Sequence, residues 1–227
     1  MKQEIKRILL IGAGGHCRSV IDSLLSLGSY EEIGLIARRT VDGTEKYQAS
    51  CSRDILSGYP VLGTDSDLEH LYQEGYKEAF ITVGSIGDYS VRKTIYRLLK
   101  HIGYTIPNII DASSAVSSYA LLGEGIYVGK KAVINANSKI GNCAIINTAA
   151  VIEHECKIGD FVHVAPGSIL SGNITIESGT HIGAGCVIRQ GLHIGADSMI
   201  GMGSIVIKNI GSNITAYGNP CIEVKHE

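Results

Sequence analysis

No apolar run in the sequence approaches the roughly 18 to 20 residues that a membrane span requires; the longest stretches are short, such as Ile8 to Ile11. Membrane insertion is therefore not expected. The polar residues Lys2, Gln3 and Glu4 do not read as a secretory leader, which points to the cytoplasm. A polybasic run is also missing. With 20 basic and 22 acidic residues the net charge is −2, so no nucleic-acid partner is expected and a small-molecule partner is. The six cysteines (Cys17, Cys51, Cys143, Cys156, Cys186, Cys221) contain no CxxC pair. That pattern suits reduced thiols filling a core, and fits neither a zinc site nor a disulfide framework.

What is present divides into two parts with different periods. Up to about residue 105, strand-like and helix-like segments alternate. Ile8 to Ile11 runs into Gly12-Ala13-Gly14-Gly15, and Ser19 to Leu27 carries apolar residues at helical spacing. Ile33 to Ala37 and Ala79 to Val83 read as further strands, Asp65 to Gln73 and Ser90 to His101 as helices. The expectation is a small Rossmann-like α/β domain with a parallel sheet over 1–109. From Ile110 the rule changes. Every sixth residue from Val116 to Val206 is Ile, Leu or Val without a slip. A small residue often precedes it by two positions (Ala132, Ser138, Ala144, Ala150, Cys156, Ser168), and glycine often follows it (Gly123, Gly129, Gly141, Gly159, Gly183, Gly195).

A six-residue period is neither helical nor a plain alternation, so the chain must turn a corner once per hexad. Three corners close a triangular coil of about eighteen residues, with the aliphatic inside and each coil hydrogen-bonded to the next. Residues 110–227 are thus expected to form a β-solenoid, with about five coils between Val116 and Ile210.

The [Leu/Ile/Val]-Gly-x4 hexads resemble the left-handed parallel β-helix of the hexapeptide acyltransferases. With Ile11-Gly12-Ala13-Gly14-Gly15-His16, Gly58-Tyr59-Pro60-Val61-Leu62-Gly63, Thr82-Val83-Gly84 and Asn147-Thr148-Ala149-Ala150-Val151-Ile152-Glu153-His154-Glu155-Cys156, the chain resembles one group more narrowly. That group is the sialic acid O-acetyltransferase and UDP-4-amino-sugar N-acetyltransferase family. The resemblance implies an acetyl-CoA-dependent acyltransferase and a homotrimer with acetyl-CoA held between adjacent helices. It further implies that His154 is the general base and Glu155 its helper, and that His163 touches the cofactor.

The residues bear on the same site independently. His154 stands two positions after Ile152, at a corner and outside the prism, and is flanked by Glu153 and Glu155. A neighbouring carboxylate raises imidazole basicity and fixes its tautomer. One coil further on stands Gly172, which leaves open space and a backbone N–H beside the ring, an oxyanion donor. His163 lies half a coil from His154, on the opposite side of the prism. Both can serve one reaction only if the site lies between protomers around a threefold axis. His181 stacks one coil above His163, and His193 lies on another edge; a zinc centre would need three histidines to converge, so no metal is expected. His70 and His101 read as solvated helix residues and His226 as tail. The cofactor arm is expected to pass Gly183, Ala184 and Met202.

Gly12-Ala13-Gly14-Gly15-His16-Cys17 resembles a dinucleotide fingerprint with cysteine in place of its last glycine. A strand-to-helix glycine turn presents backbone N–H groups to a phosphate. In the family this domain binds the nucleotide-sugar acceptor, and Gly14, Gly15, His16 and Gly84 match its motif positions; Asn147, in the β-helix motif, is expected to bind substrate as well. Arg38 stands where the family often has an acidic residue, and Ala37-Arg38-Arg39 would also suit an NADP enzyme. The acceptor is expected to be a nucleotide-linked 4-amino-4,6-dideoxy sugar, acetylated on nitrogen. The alternatives are O-acetylation of sialic acid and a non-enzymatic β-helix. The last would show outward ladders of one polar residue, whereas the column through His154 reads Ser118, Ala136, His154, Gly172, Gln190.

Overall fold

The computed structural model describes residues 5–37 and 58–224. Arg38, Arg39, Cys51 and His226 lie outside the described residues. Contacts divide the chain into two units. One comprises Met1–Gly84 and Ser90–Pro107; the other comprises Ser85–Tyr89 and Asn108–Glu227. A five-residue loop inside the expected first domain therefore belongs, by its contacts, to the second.

The first unit is a parallel sheet of β1 (Arg7–Ile11), β2 (Glu32–Ile36), β3 (Val61–Gly63) and β4 (Glu78–Ile81) in the order β3-β2-β1-β4. Its helices are α1 (Gly15–Leu27), α2 (Leu68–Gln73), preceded by a 3-10 turn at Asp65–Asp67, and α3 (Ser90–Ile102). Ile8, Leu9, Leu10 and Ile11 are fully or almost fully buried, as expected for a parallel strand covered on both faces. α1 starts four residues before the apolar period that announced it, because Gly14 takes the N-cap position. β3 was read only as a motif; three residues are too few to show a period.

The second unit is a β-helix with two-residue strands on three faces. The first face carries Ile109–Ile110, Tyr127–Val128, Ile145–Ile146, His163–Val164, His181–Ile182 and Met199–Ile200, and ends in the hairpin Thr215–Gly218 and Cys221–Val224. The second face runs from Ala115–Val116 to Ile205–Val206 in six strands, the third from Leu121–Leu122 to His193–Ile194 in five. The six strands of the second face, eighteen residues apart, enclose five coils from Val116 to Val206, the number expected over that range. Ile109–Ile110 opens the stack one step earlier and Thr215–Gly218 closes it one step later. The register is eighteen residues along the stack, as in Ile152 opposite Leu170 and Leu170 opposite Ile188, and shortens to sixteen at the last step, Met199 opposite Thr215 and Ile194 opposite Ile210. Every hexad aliphatic from Val128 to Val206 is at most 3% exposed.

Two devices hold the coils in step. At each corner one residue adopts a left-handed backbone, including Lys131, Asn137, Cys143, Ala149, Glu155 and Phe161 (φ 54 to 62°). From Cys143 to Gly203 its N–H reaches a carbonyl of the preceding coil, as from Glu155 to Ala136, while the Lys131 amide goes to Ser113 Oγ. Beside it, where the small residue buried two positions before the aliphatic is Ser or Thr, its hydroxyl links coils. Ser168 Oγ donates to the Gly183 carbonyl (2.7 Å) and accepts from the Cys186 amide (3.3 Å). Ser138 does the same with the Glu153 carbonyl and the Cys156 amide.

Candidate active site

His154 stands at the corner that follows the second face, held by the αL turn of Glu155 (φ 62°) and by its own carbonyl accepting the Asn173 amide at 2.8 Å. Both side chains are more than half exposed (55% and 59%). Glu155 Oε2 lies 3.3 Å from Nδ1. A proton on Nδ1 facing that carboxylate leaves Nε2 as the basic nitrogen. The ring lies directly on Gly172: a Cβ built there would stand 2.6 Å from both Cε1 and Nε2. Only glycine permits this seat, and the Gly172 amide donates to no acceptor among the described residues. A base and an unused N–H donor therefore sit side by side on consecutive coils.

His163 lies on the first face, away from that corner. Its Nδ1–H donates to the Ser85 carbonyl at 2.9 Å, and its Nε2 is 3.2 Å from Asn147 Nδ2. Asn147 Oδ1 accepts the Thr148 amide at 2.8 Å, which fixes the amide with its nitrogen toward the histidine. His163 is thereby set as the Nδ1–H tautomer with Nε2 accepting. The His181 ring packs edge-on against it (4.8 Å, 80°). Burial lowers the His181 basicity, which keeps that neighbour neutral. In one chain the structure thus joins His163 to Asn147 and keeps both apart from the corner of His154.

The other residues expected along the cofactor path stand at the corner before the second face. Ala184 is exposed, Met202 is 81% exposed, and Gly183 is buried against the next coil, where a Cβ would meet the Met202 amide nitrogen at 2.5 Å. A groove of about 590 Å³ on the third face, lined by Lys139, Lys157, Thr175 and Glu177, contains none of these residues. Cys156, Cys186 and Cys221 have thiols pushed up by burial, so they are poor nucleophiles. Among the described residues, no cluster of three or more His, Cys, Asp or Glu side chains is placed to hold a metal ion.

In the α/β unit, the expected acceptor residues gather at the carboxyl ends of β1 and β4, where the strand order reverses. Ligands of open parallel sheets bind at such a point. Gly12 (φ 112°) has its Cα against Val83, and Thr82 Oγ1 donates to the Gly12 carbonyl at 2.5 Å, so the two turns are locked together. Gly14 caps α1 without any side-chain bond, and added Cβ atoms at Gly14 and Gly15 would meet open space. The start of α1 is therefore open to solvent at Gly14 and Gly15, the space an anion at a helix N-terminus needs, while the Cys17 amide turns back to the Gly14 carbonyl at 3.1 Å. His16 Cβ lies 3.9 Å from the Cβ position of Gly84. Arg92 went unnoticed in the sequence. It is 1% exposed and donates to the Val83 carbonyl at 2.5 Å, bracing the turn that ends at Gly84. A lone arginine on an amphipathic helix gives no sign of this.

Comparison with known proteins agrees with this geometry. Residues 7–99 match the PglD N-terminal domain and residues 155–190 the bacterial transferase hexapeptide (six repeats). A histidine-to-asparagine variant of the perosamine N-acetyltransferase from Caulobacter crescentus, in complex with CoA and GDP-perosamine, superposes with a TM-score of 0.86. It is 32% identical over 98% of each chain. The acetyltransferase domain of PglB from Neisseria gonorrhoeae, in complex with acetyl coenzyme A, gives 0.85 at 32% identity, over 97% of this chain and all of that one (100%). Among curated sequences, an uncharacterized protein of Acanthamoeba polyphaga mimivirus is 28% identical over 135 residues, and the match spans only 24% of that protein's length. With a glycine-turn α/β unit, a hexad β-helix and full-length likeness to these enzymes, the chain belongs to the hexapeptide-repeat sugar acetyltransferases that carry a PglD-type N-terminal domain.

Proposed function

We propose that this protein transfers the acetyl group of acetyl-CoA to the amino group of a nucleotide-linked 4-amino-4,6-dideoxy sugar, with His154 as general base. The observation that carries the reading is the His154 ring seated on Gly172, with Glu155 at Nδ1 and an uncommitted N–H beneath. The two relatives were captured with CoA and GDP-perosamine and with acetyl coenzyme A.

His154 Nε2 takes a proton from the acceptor amine as its nitrogen attacks the thioester carbon. General-base assistance of this kind is worth about 10² to 10⁴ in rate. The Gly172 N–H meets the oxyanion of the tetrahedral intermediate, a contribution of about 3 kcal/mol. The C–S bond then breaks, and the CoA sulfur leaves with the proton held by His154. Glu155 holds the imidazole in the required tautomer. In this reading the phosphates of the acceptor lie at the start of α1, at Gly14, Gly15 and His16, with Gly84 opposite, and Arg38 is a further acceptor-binding residue assigned from the sequence alone. The cofactor arm passes Gly183, Ala184 and Met202.

The protein acts as a homotrimer in the cytoplasm. The outward residues of the second face are Ala115, Val133, Val151, Ile169, Val187 and Ile205, six aliphatics in one stripe, with Ile169 43% exposed. On the third face only Leu121 is aliphatic, followed by Lys139, Lys157, Thr175 and His193. A continuous apolar stripe is expected to be covered, and a second copy around a threefold axis would bring His163 and Asn147 of one chain to His154 of the next.

The test is thiol release from acetyl-CoA by the purified protein with a nucleotide-linked 4-amino-4,6-dideoxy sugar, its 4-hydroxy counterpart and free sialic acid, alongside sedimentation. Release with the amino sugar, by a species of three chains, is expected. Release with sialic acid alone, or full activity in a monomer, would contradict the proposal.

A further inference from the structure

The loop Ser85–Tyr89 follows Gly84 in the chain yet makes its contacts with the β-helix. Its two ends are fixed differently. At Ser85 the backbone carbonyl takes the His163 Nδ1–H at 2.9 Å. At Tyr89 the side chain enters a seat built from one corner column of three consecutive coils: Phe161, Gly179 and Asp197, spaced eighteen residues apart and all in the left-handed conformation. The Tyr89 ring stacks on Phe161 (5.4 Å between centroids, 26° between planes). Its hydroxyl bonds to the Asp197 carboxylate. Gly179 provides the gap, since a Cβ there would lie 2.3 Å from Tyr89 Cε1 and 2.5 Å from Asp197 Oδ1. Between the two ends Gly87 (φ 75°) leaves no room for a side chain, its Cβ position being 2.3 Å from Met199 Cε. Phenylalanine below, glycine at the level of the ring and aspartate above form a site shaped for one tyrosine.

The loop holds a group that would otherwise turn. Free neutral imidazole favours the Nε2–H tautomer, which would point a donor at the Asn147 amide nitrogen and lose that bond. The Ser85 carbonyl enforces the other tautomer. Asn147 can then donate one amide hydrogen to His163 Nε2 and keep the second for a ligand, while its Oδ1 stays on the Thr148 amide.

We infer that Tyr89, seated on Phe161, Gly179 and Asp197, is a positioning residue for acetyl transfer, acting through the Ser85 carbonyl to set the tautomer of His163 and the aim of the Asn147 amide. The inference deepens the proposed function, because it takes His163 and Asn147 as ligand contacts. It also says why a loop of the α/β segment is given over to the β-helix.

The experiment pairs ¹⁵N imidazole NMR with steady-state kinetics on the full chain. The His163 signals are assigned by their loss in His163→Gln. In the unsubstituted protein His163 shows a protonated Nδ1 and an unprotonated Nε2. Tyr89→Ala moves it toward the Nε2–H tautomer and lowers kcat at least tenfold, with a smaller change in the KM for acetyl-CoA. Tyr89→Phe keeps the ring on Phe161, retains the Nδ1–H tautomer and recovers most of the rate. If Tyr89→Ala does not fold, Gly179→Ala expels the ring from the β-helix side and is expected to give the same tautomer change. An unchanged His163 spectrum and rate in the Ala variant that folds overturns the inference. The tautomer readout stands apart from activity, so failure of the proposed acyl transfer would show instead as absent turnover with the Nδ1–H tautomer intact.

Discussion

At the scale of single residues, the proposed site depends on one small residue, Gly172, as much as on the imidazole proposed as the base. Gly172 is not in the positive-φ region, so its backbone would accept alanine, but the added Cβ would fall 2.6 Å from two atoms of the His154 ring. Displacing a catalytic group by about 1 Å can cost on the order of 100-fold in rate. Gly172→Ala is therefore expected to lower kcat between about tenfold and 100-fold while the melting temperature barely moves; unchanged kcat would mean that the ring does not act from this seat. His154, Glu155 and Gly172 were legible in sequence because a fixed period converts residue number into position. The same arithmetic put His181 on His163, where the rings now meet edge to edge. It could not show that both His163 nitrogens are engaged, because one partner is the backbone carbonyl of Ser85, which has no side-chain signature.

At the scale of the hexad, the aliphatic and the glycine carried the reading, and the hydroxyls carried more than was read. In the sequence Ser138 and Ser168 read as residues small enough for a corner, a position that Thr180 shares. Each is also a buried donor and acceptor that joins two coils. Ser168→Ala removes both hydroxyl bonds and leaves the Gly183 carbonyl and the Cys186 amide only their own 3.4 Å contact, and each buried hydrogen bond lost costs about 0.5 to 1.5 kcal/mol. Equilibrium denaturation is expected to show a loss in that range; a loss near zero would make these hydroxyls mere spacers. The left-handed corner position was invisible in composition, since lysine, asparagine, cysteine, alanine, glutamate and phenylalanine all occupy it. Its uniformity lies in the backbone, fixed by the N–H bond to the preceding coil. The Tyr89 seat escaped for a related reason. It joins three residues a coil apart to a loop some seventy positions away, a relation no local pattern contains.

At the scale of the whole molecule, the division into an α/β unit and a β-helix followed from the change of period near Ile110, and the parallel sheet of the first unit from its strand-turn-helix order. The exception is Ser85–Tyr89, whose place is set by contacts rather than by sequence order. The trimer is argued from the aliphatic stripe of the second face and from the separation of His154 and His163 on one prism. The central claim remains chemical: one imidazole at one corner removes the acceptor's proton. It is tested most directly by turnover of acetyl-CoA with the nucleotide-linked amino sugar in His154→Ala, prepared as a folded protein of unchanged assembly. The account predicts a fall in kcat of about 10² to 10⁴ with the KM for acetyl-CoA nearly unchanged. Turnover within a few-fold of the unsubstituted protein would contradict it.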